Sequence, residues 1–342
     1  MQARKSDRIF GTRLSLAGIA AFVMLAAASP ARAADKDYKG WFAALDLATT
    51  QPDSLDQHFA DEAVAPASDN FERLVIDNRS HLSWKGSVGY DFGKELGSLQ
   101  ASYWIFDHED KDSGTAQGDL LPTIFGFGYG PGAMYITAPP TSFVAKSKIK
   151  ARTYDLDYLR PIAVGEKFAV RWLAGLRTAR YEEDLNFSAT DSAAFQYRQS
   201  KHLESKAMGL RVGATGVFGF TKHFGLEASM AVSFMQADND FNSSETFVNA
   251  GTMARLKGSN KHDRGEIRDY DFKALWSYGH LDYFVGYQAS AWDGLVEDSL
   301  PAGGCCTGSP GNAGRQTIAF NSFHGGVIWR FGRAKESPPP LQ

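Results

Sequence analysis

The chain has 342 residues, 13% of them aromatic and 34 of them glycine, with a formal net charge of −3. That balance excludes a basic nucleic-acid binder, and a total of two cysteines excludes a disulfide-built small domain. After the N-terminus no stretch is apolar for about 18 residues, which excludes a helical membrane protein.

The first 33 residues read as a secretion signal. Arg4, Lys5, Arg8 and Arg13 form a basic start, 14–28 is apolar, and Ala31-Arg32-Ala33 is a small-residue cleavage site that puts the mature start at Ala34. The other reading, an uncleaved anchor, needs a longer apolar run. Removing the signal leaves 31 basic against 38 acidic residues, a net charge of about −7.

A period of two then begins. Leu82, Trp84, Gly86, Val88, Tyr90 and Phe92 alternate with Ser83, Lys85, Ser87, Gly89 and Asp91. Successive strand side chains point to opposite faces, so one face is apolar and the other polar. The pattern returns along the chain and predicts about ten strands: 41–50, 81–92, 99–107, 150–162, 167–181, 207–220, 224–238, 266–278, 281–292 and 316–331. Short links at 93–98, 163–166, 221–223 and 279–280 alternate with long polar links at 51–80, 108–149, 182–206, 239–265 and 293–315. Short periplasmic turns alternating with long outer loops are the habit of a bacterial outer-membrane barrel. Lipid offers the backbone no hydrogen-bond partner, so the sheet must close on itself. The expected fold is therefore all-β, a closed antiparallel transmembrane β-barrel spanning 34–331. The 108–149 link is long enough to hold a further hairpin, so the count lies between eight and twelve. Within it Gly126, Gly128, Gly130 and Gly132 alternate with Phe127, Tyr129 and Pro131. No Lys-Ser or Lys-Thr follows, so a loop over or into the barrel mouth fits better than a phosphate loop.

Aromatic residues at strand ends (Trp41, Tyr90, Phe92, Tyr103, Trp104, Tyr278, Tyr283, Trp292, Trp329 and Phe331) suit interfacial girdles, although aromatics favour any strand. In the last strand Gly326, Trp329 and Phe331 resemble the terminal signal read by the barrel assembly machinery. The signal is followed by a tail, 332–342, whose Pro338, Pro339 and Pro340 suit a flexible periplasmic extension.

The polar rows then face a lumen. They carry Lys85, Asp91, Asp155, Asp157, Arg171, Arg177, Arg211, Glu227, Asp271, Lys273, Asp282 and Arg330, half of them basic and half acidic. These residues either line an aqueous path that tunes selectivity or pair into a salt-bridged filling. Ten strands about 4.8 Å apart and tilted by about 40° enclose a cylinder of radius roughly 10 Å. Side chains occupy much of that, so a narrow or plugged pore is expected, with pairing the larger role. Among the eight histidines, His81 lies at a strand mouth and His324 faces inward. Asp107-His108-Glu109-Asp110 offers ligands to a divalent cation, but a solvated loop explains it more simply. No nucleophile elbow and no zinc motif occurs, so neither an enzyme nor a cofactor is expected. Cys305 and Cys306 are neighbours in an outer loop. A bridge between neighbours is strained, so pairing between chains and an ordinary loop pair both remain open.

Gly40-Trp41-Phe42-Ala43-Ala44-Leu45-Asp46 resembles the first strand of the Legionella-type major outer-membrane, pore-forming protein family. Asp155-Leu156-Asp157-Tyr158 with Leu173-Ala174-Gly175-Leu176-Arg177 is similar to that family's central strand pair, and Gly209-Leu210-Arg211-Val212-Gly213 to its later part. The resemblance implies a pore-forming β-barrel in the outer membrane, without catalytic residues. Relatives form disulfide-linked assemblies, with which Cys305 and Cys306 are compatible. The expected function is passive diffusion of small solutes or ions. The alternatives are a non-conducting surface barrel and, third, a barrel enzyme. The expected partners are outer-membrane lipid and the assembly machinery, with a homo-oligomer left open.

Overall fold

The structure, a computed structural model, describes residues 38–334 apart from 54–56, 65–70, 77, 94, 123–138, 165–166, 222, 248–251 and 299–313. The signal peptide, the Gly126–Gly132 alternation, Cys305, Cys306 and most of the C-terminal tail lie outside the described residues.

Ten strands close into one antiparallel barrel. They are β1 (Tyr38–Asp53), β4 (His81–Asp91), β5 (Ser98–Ala116), β7 (Thr141–Val164), β8 (Phe168–Thr190), β9 (Gln196–Gly219), β10 (Phe224–Phe247), β11 (Thr252–Tyr278), β12 (Leu281–Asp298) and β13 (Gly314–Ala334). Three more strands, β2 (Gln57–Ala63), β3 (Phe71–Ile76) and β6 (Leu120–Pro122), form a separate small sheet in the order β3-β2-β6. The barrel closes where β1 pairs with β13, with Leu45 opposite Val327 and Asp46 opposite Gly326. Tight turns join strands at the short-link end. Gly279 (φ 62°) supplies the left-handed residue of the two-residue turn between Tyr278 and Leu281.

Among the described residues, the segment 108–149 adds no further strand to the barrel. Instead β5 runs on to Ala116 and β7 starts at Thr141, and the pair stays in register from Ser98–Leu159 to Ala116–Thr141. The same holds elsewhere. The segment 182–206, expected as a loop, is mostly strand: β8 and β9 pair out to Thr190–Gln196. A 24-residue strand is about 80 Å long at ~3.3 Å per residue. Tilted by about 40°, it rises about 60 Å, more than twice the ~25 Å apolar band of such barrels. The outer half therefore stands clear of the lipid.

Where it leaves the lipid, the polarity of the two faces swaps while the alternation keeps its phase. On β8 the outward residues Trp172, Ala174 and Leu176 give way to Arg180, Glu182 and Asp184. On β9 Leu210 and Met208 give way to Lys206 and Glu204, and on β10 Phe234 gives way to Gln236 and Asp238. The inward set turns apolar at the same height, with Ala179, Tyr181, Leu185, Phe187 and Ala189 buried on β8. An outer wall in lipid must be apolar. The same wall in water must be polar, and the hydrophobic residues go inside. Leu176, Leu210 and Phe234 are about half exposed or more in the isolated chain, as a lipid-facing wall requires.

Candidate functional site

The interior is the part of the molecule where chemistry-bearing side chains converge. The strand register gives all twelve residues of the candidate lumen set, Lys85, Asp91, Asp155, Asp157, Arg171, Arg177, Arg211, Glu227, Asp271, Lys273, Asp282 and Arg330, the inward parity. They do not form one group. Asp91 caps its own turn by accepting from the Gly93 N–H at 2.8 Å. Near the short-link end Arg330 Nε donates to Asp282 at 2.7 Å.

Higher up, Lys273 Nζ lies 2.6 Å from Asp271 and 3.2 Å from Glu227. Beside it His324 bridges two carboxylates, with Nδ1 2.8 Å from Asp46 and Nε2 3.2 Å from Asp271. Gly286 makes room for this ring, because a Cβ there would lie 2.7 Å from His324 Nε2.

Mid-barrel, Arg177 forks onto Asp155, through Nε at 2.6 Å and Nη2 at 2.8 Å, and its Nη1 lies 2.7 Å from Asp269. Arg211 pairs with Asp157, 3.2 Å from Asp269 and 3.6 Å from Asp155. These charges come from β7, β8, β9 and β11, so one network ties four strands across the interior. Paired, forked geometry is what lets such charges sit out of water.

Above the network a cavity of only about 20 Å³ is lined by Lys85, Trp104, Asp155, Arg177, Asp269, Trp292 and Phe320, among others. It is large enough for about one water. An apolar layer of inward-facing side chains lies next to it. Phe106, Tyr181, Ile267, Trp292, Ile318 and Phe320 are all at most 2% exposed and belong to one packed cluster. Trp292 and Phe320 meet edge to face, with ring centroids 5.5 Å apart. A second cluster lies further out, where Phe59 of β2 packs on Phe143 and Phe187 at centroid distances of 5.7 and 5.3 Å. Thus the small sheet lies against the outer end of the barrel.

This layer corrects two girdle assignments. Trp292 has inward parity and is buried, and Trp104 packs against the same cluster rather than facing lipid. Trp41, Tyr278, Tyr283, Trp329 and Phe331 are 47–72% exposed on the outer wall. Of the terminal triplet, Trp329 and Phe331 stack on that wall with centroids 5.1 Å apart, while Gly326 faces inward against Leu45. The lumen set lacked Asp46 and Asp269, and His324, expected to face inward, joins it. Their parity carried the signal: Asp46 lies between Leu45 and Leu47, and Asp269 precedes Asp271 and Lys273 by steps of two.

The outer half holds its own polar contacts. Tyr197 donates to Glu245 at 2.5 Å inside the wall. Burial, then the neighbouring Glu245 charge, push the Tyr197 hydroxyl well above its usual value, and burial likewise raises the Glu245 carboxyl. At the end of β4, His81 and His108 stack beside Asp110. Side chains of His58 and His262 lie outside the described residues.

A family model described as the Legionella pneumophila major outer membrane protein precursor matches residues 36–288. The chain belongs to that family, and its location is the outer membrane. No curated protein matches it. Among solved structures, the outer membrane protease OmpT from Escherichia coli is 13% identical, with a TM-score of 0.49, covering 85% of this chain and 97% of that one. The Pseudomonas putida toluene transporter TodX is 10% identical, with a TM-score of 0.37, covering 90% of this chain and 93% of that one.

Proposed function

We propose that this member of the major outer-membrane protein family is a narrow pore for small solutes or ions, held shut in this conformation. The observation that carries the reading is the order of the two interior layers. A wall charged with both signs runs from Arg330–Asp282 up to Arg177–Asp155, and a dry layer centred on Trp292 and Phe320 lies across its outer end. A hydrophobic constriction over a polar conduit is a known way to gate ion flow by dewetting. The inward charges of both signs are paired with one another, so in this reading selectivity rests on size. Lipid and the barrel assembly machinery are the partners this reading requires, and catalysis forms no part of it.

A second reading is favoured by the pairing itself. The network charges pair with one another around a cavity of about 20 Å³, as in a structural barrel. Planar-bilayer conductance separates the two. In the pore reading wild-type protein opens rarely, and Trp292→Ala/Phe320→Ala gives steady ohmic steps. Silence from both, with each barrel still heat-modifiable on a gel, leaves the structural reading.

A further inference from the structure

The geometry points to a binding site for one divalent transition-metal ion, of the zinc, nickel or copper class, held by His81, His108 and Asp110 at the outer end of the barrel. The inference is independent of whether the lumen conducts.

Two periodicities build the site. His108 and Asp110 are two residues apart on β5, so both take the inward face. On β4, Ser83 faces Phe106, and carrying that register one step outward sets His81 opposite His108. The chain thus delivers two imidazoles and a carboxylate to one spot, where β4 begins and β5 runs on.

The distances suit a metal. His81 Nε2 lies 3.3 Å from Asp110 Oδ2, and His108 Nε2 lies 3.4 Å from Asp110 Oδ1. One ligand atom from each of the three residues can be chosen so that all lie within 4.8 Å of one another. A tetrahedral ion with bonds of about 2.0–2.1 Å separates its ligands by about 3.3–3.4 Å. Nitrogen and carboxylate donors in this ratio select zinc, nickel or copper over calcium or magnesium. The backbone N–H of Arg79 donates to Asp110 Oδ2 at 3.3 Å and so helps to fix the carboxylate. The three side chains are 15–27% exposed, open enough for an ion to enter and for water to complete its shell.

The test is a calorimetric Zn²⁺ titration of the full mature barrel, folded in detergent and carrying no affinity tag. The expected result is saturable binding of one ion per chain that weakens at least tenfold in His108→Ala and in Asp110→Asn. His202→Ala, which removes an outward histidine paired with Asp184, should bind as wild type. Reading two site variants keeps the test decisive if one of them fails to fold. Absence of saturable binding to wild type overturns the assignment. So does wild-type affinity in both site variants, which would place the ion on other histidines or on Cys305 and Cys306.

Discussion

Replacing Arg177 by Met probes the mid-barrel network most sharply. The guanidinium forks onto Asp155 and reaches Asp269, and the Arg177 and Asp155 side chains are only 4% and 2% exposed. Met fills much of the volume but leaves two carboxylates short of a cation. Breaking a buried pair in this way costs about 3–5 kcal/mol. Arg211, 3.2 Å from Asp269 and 3.6 Å from Asp155, offsets part of that, so the lower end, about 3 kcal/mol, is expected. This is roughly a hundredfold in the folding equilibrium. Arg177→Met/Asp155→Leu removes one charge of each sign and should recover most of the loss, to within about 1 kcal/mol of wild type. Reversible urea unfolding in lipid vesicles, followed by tryptophan fluorescence and by gel mobility, measures both. A single variant within about 1 kcal/mol of wild type, or a double variant no better than the single, would refute the idea that paired charge holds the interior together.

Two further expectations concern neighbouring levels of the barrel. Gly286→Ala would push a methyl group against His324 and the Phe272 carbonyl, costing about 1–3 kcal/mol in the same unfolding assay. The Tyr197–Glu245 pair gives the outer half a pH dependence. Because burial raises the folded Glu245 value, its contribution is complete below the ordinary carboxyl value of about 4.3 and is lost as pH rises through the raised one. Hydrogen exchange at 196–200 and 243–247 should therefore show more opening above that window, and Glu245→Gln should flatten the trend.

The lipid-embedded half of each strand was legible because membrane and backbone impose one rule together. Outward residues such as Leu82, Leu176, Leu210 and Val285 must be apolar, and the period of two exposes them. The outer half was hidden because the rule reverses there. In the strand parts of 182–206 the apolar residues are Leu185, Phe187, Ala189, Tyr197 and Leu203, on odd numbers, whereas the lipid-facing row of β8 is even. Taken as a lipid-facing pattern, that stretch looks like polar loop. Taken as a hydrated wall around an apolar core, it is the same strand continued. Trp104 and Trp292 were misplaced for a related reason: aromatic type at a strand end suggested a girdle, while their parity set them among the inward residues. The partners of the ion pairs could not be read at all, because pairing across the interior depends on which distant strands face one another.

The reversal of the two walls is open to direct measurement by a cysteine scan of β8 in a Cys305→Ser/Cys306→Ser background. Each position from 170 to 189 would be tested with a water-soluble thiol reagent and with a lipid-borne quencher. Even positions through Leu176 should be quenched only from lipid, even positions from Arg180 outward should react only from water, and odd positions from Ala179 to Ala189 should resist both. Lipid quenching at Glu182 or Asp184, or free aqueous labelling at Tyr181 and Leu185, would contradict a barrel that swaps its faces on leaving the membrane and is packed solid within.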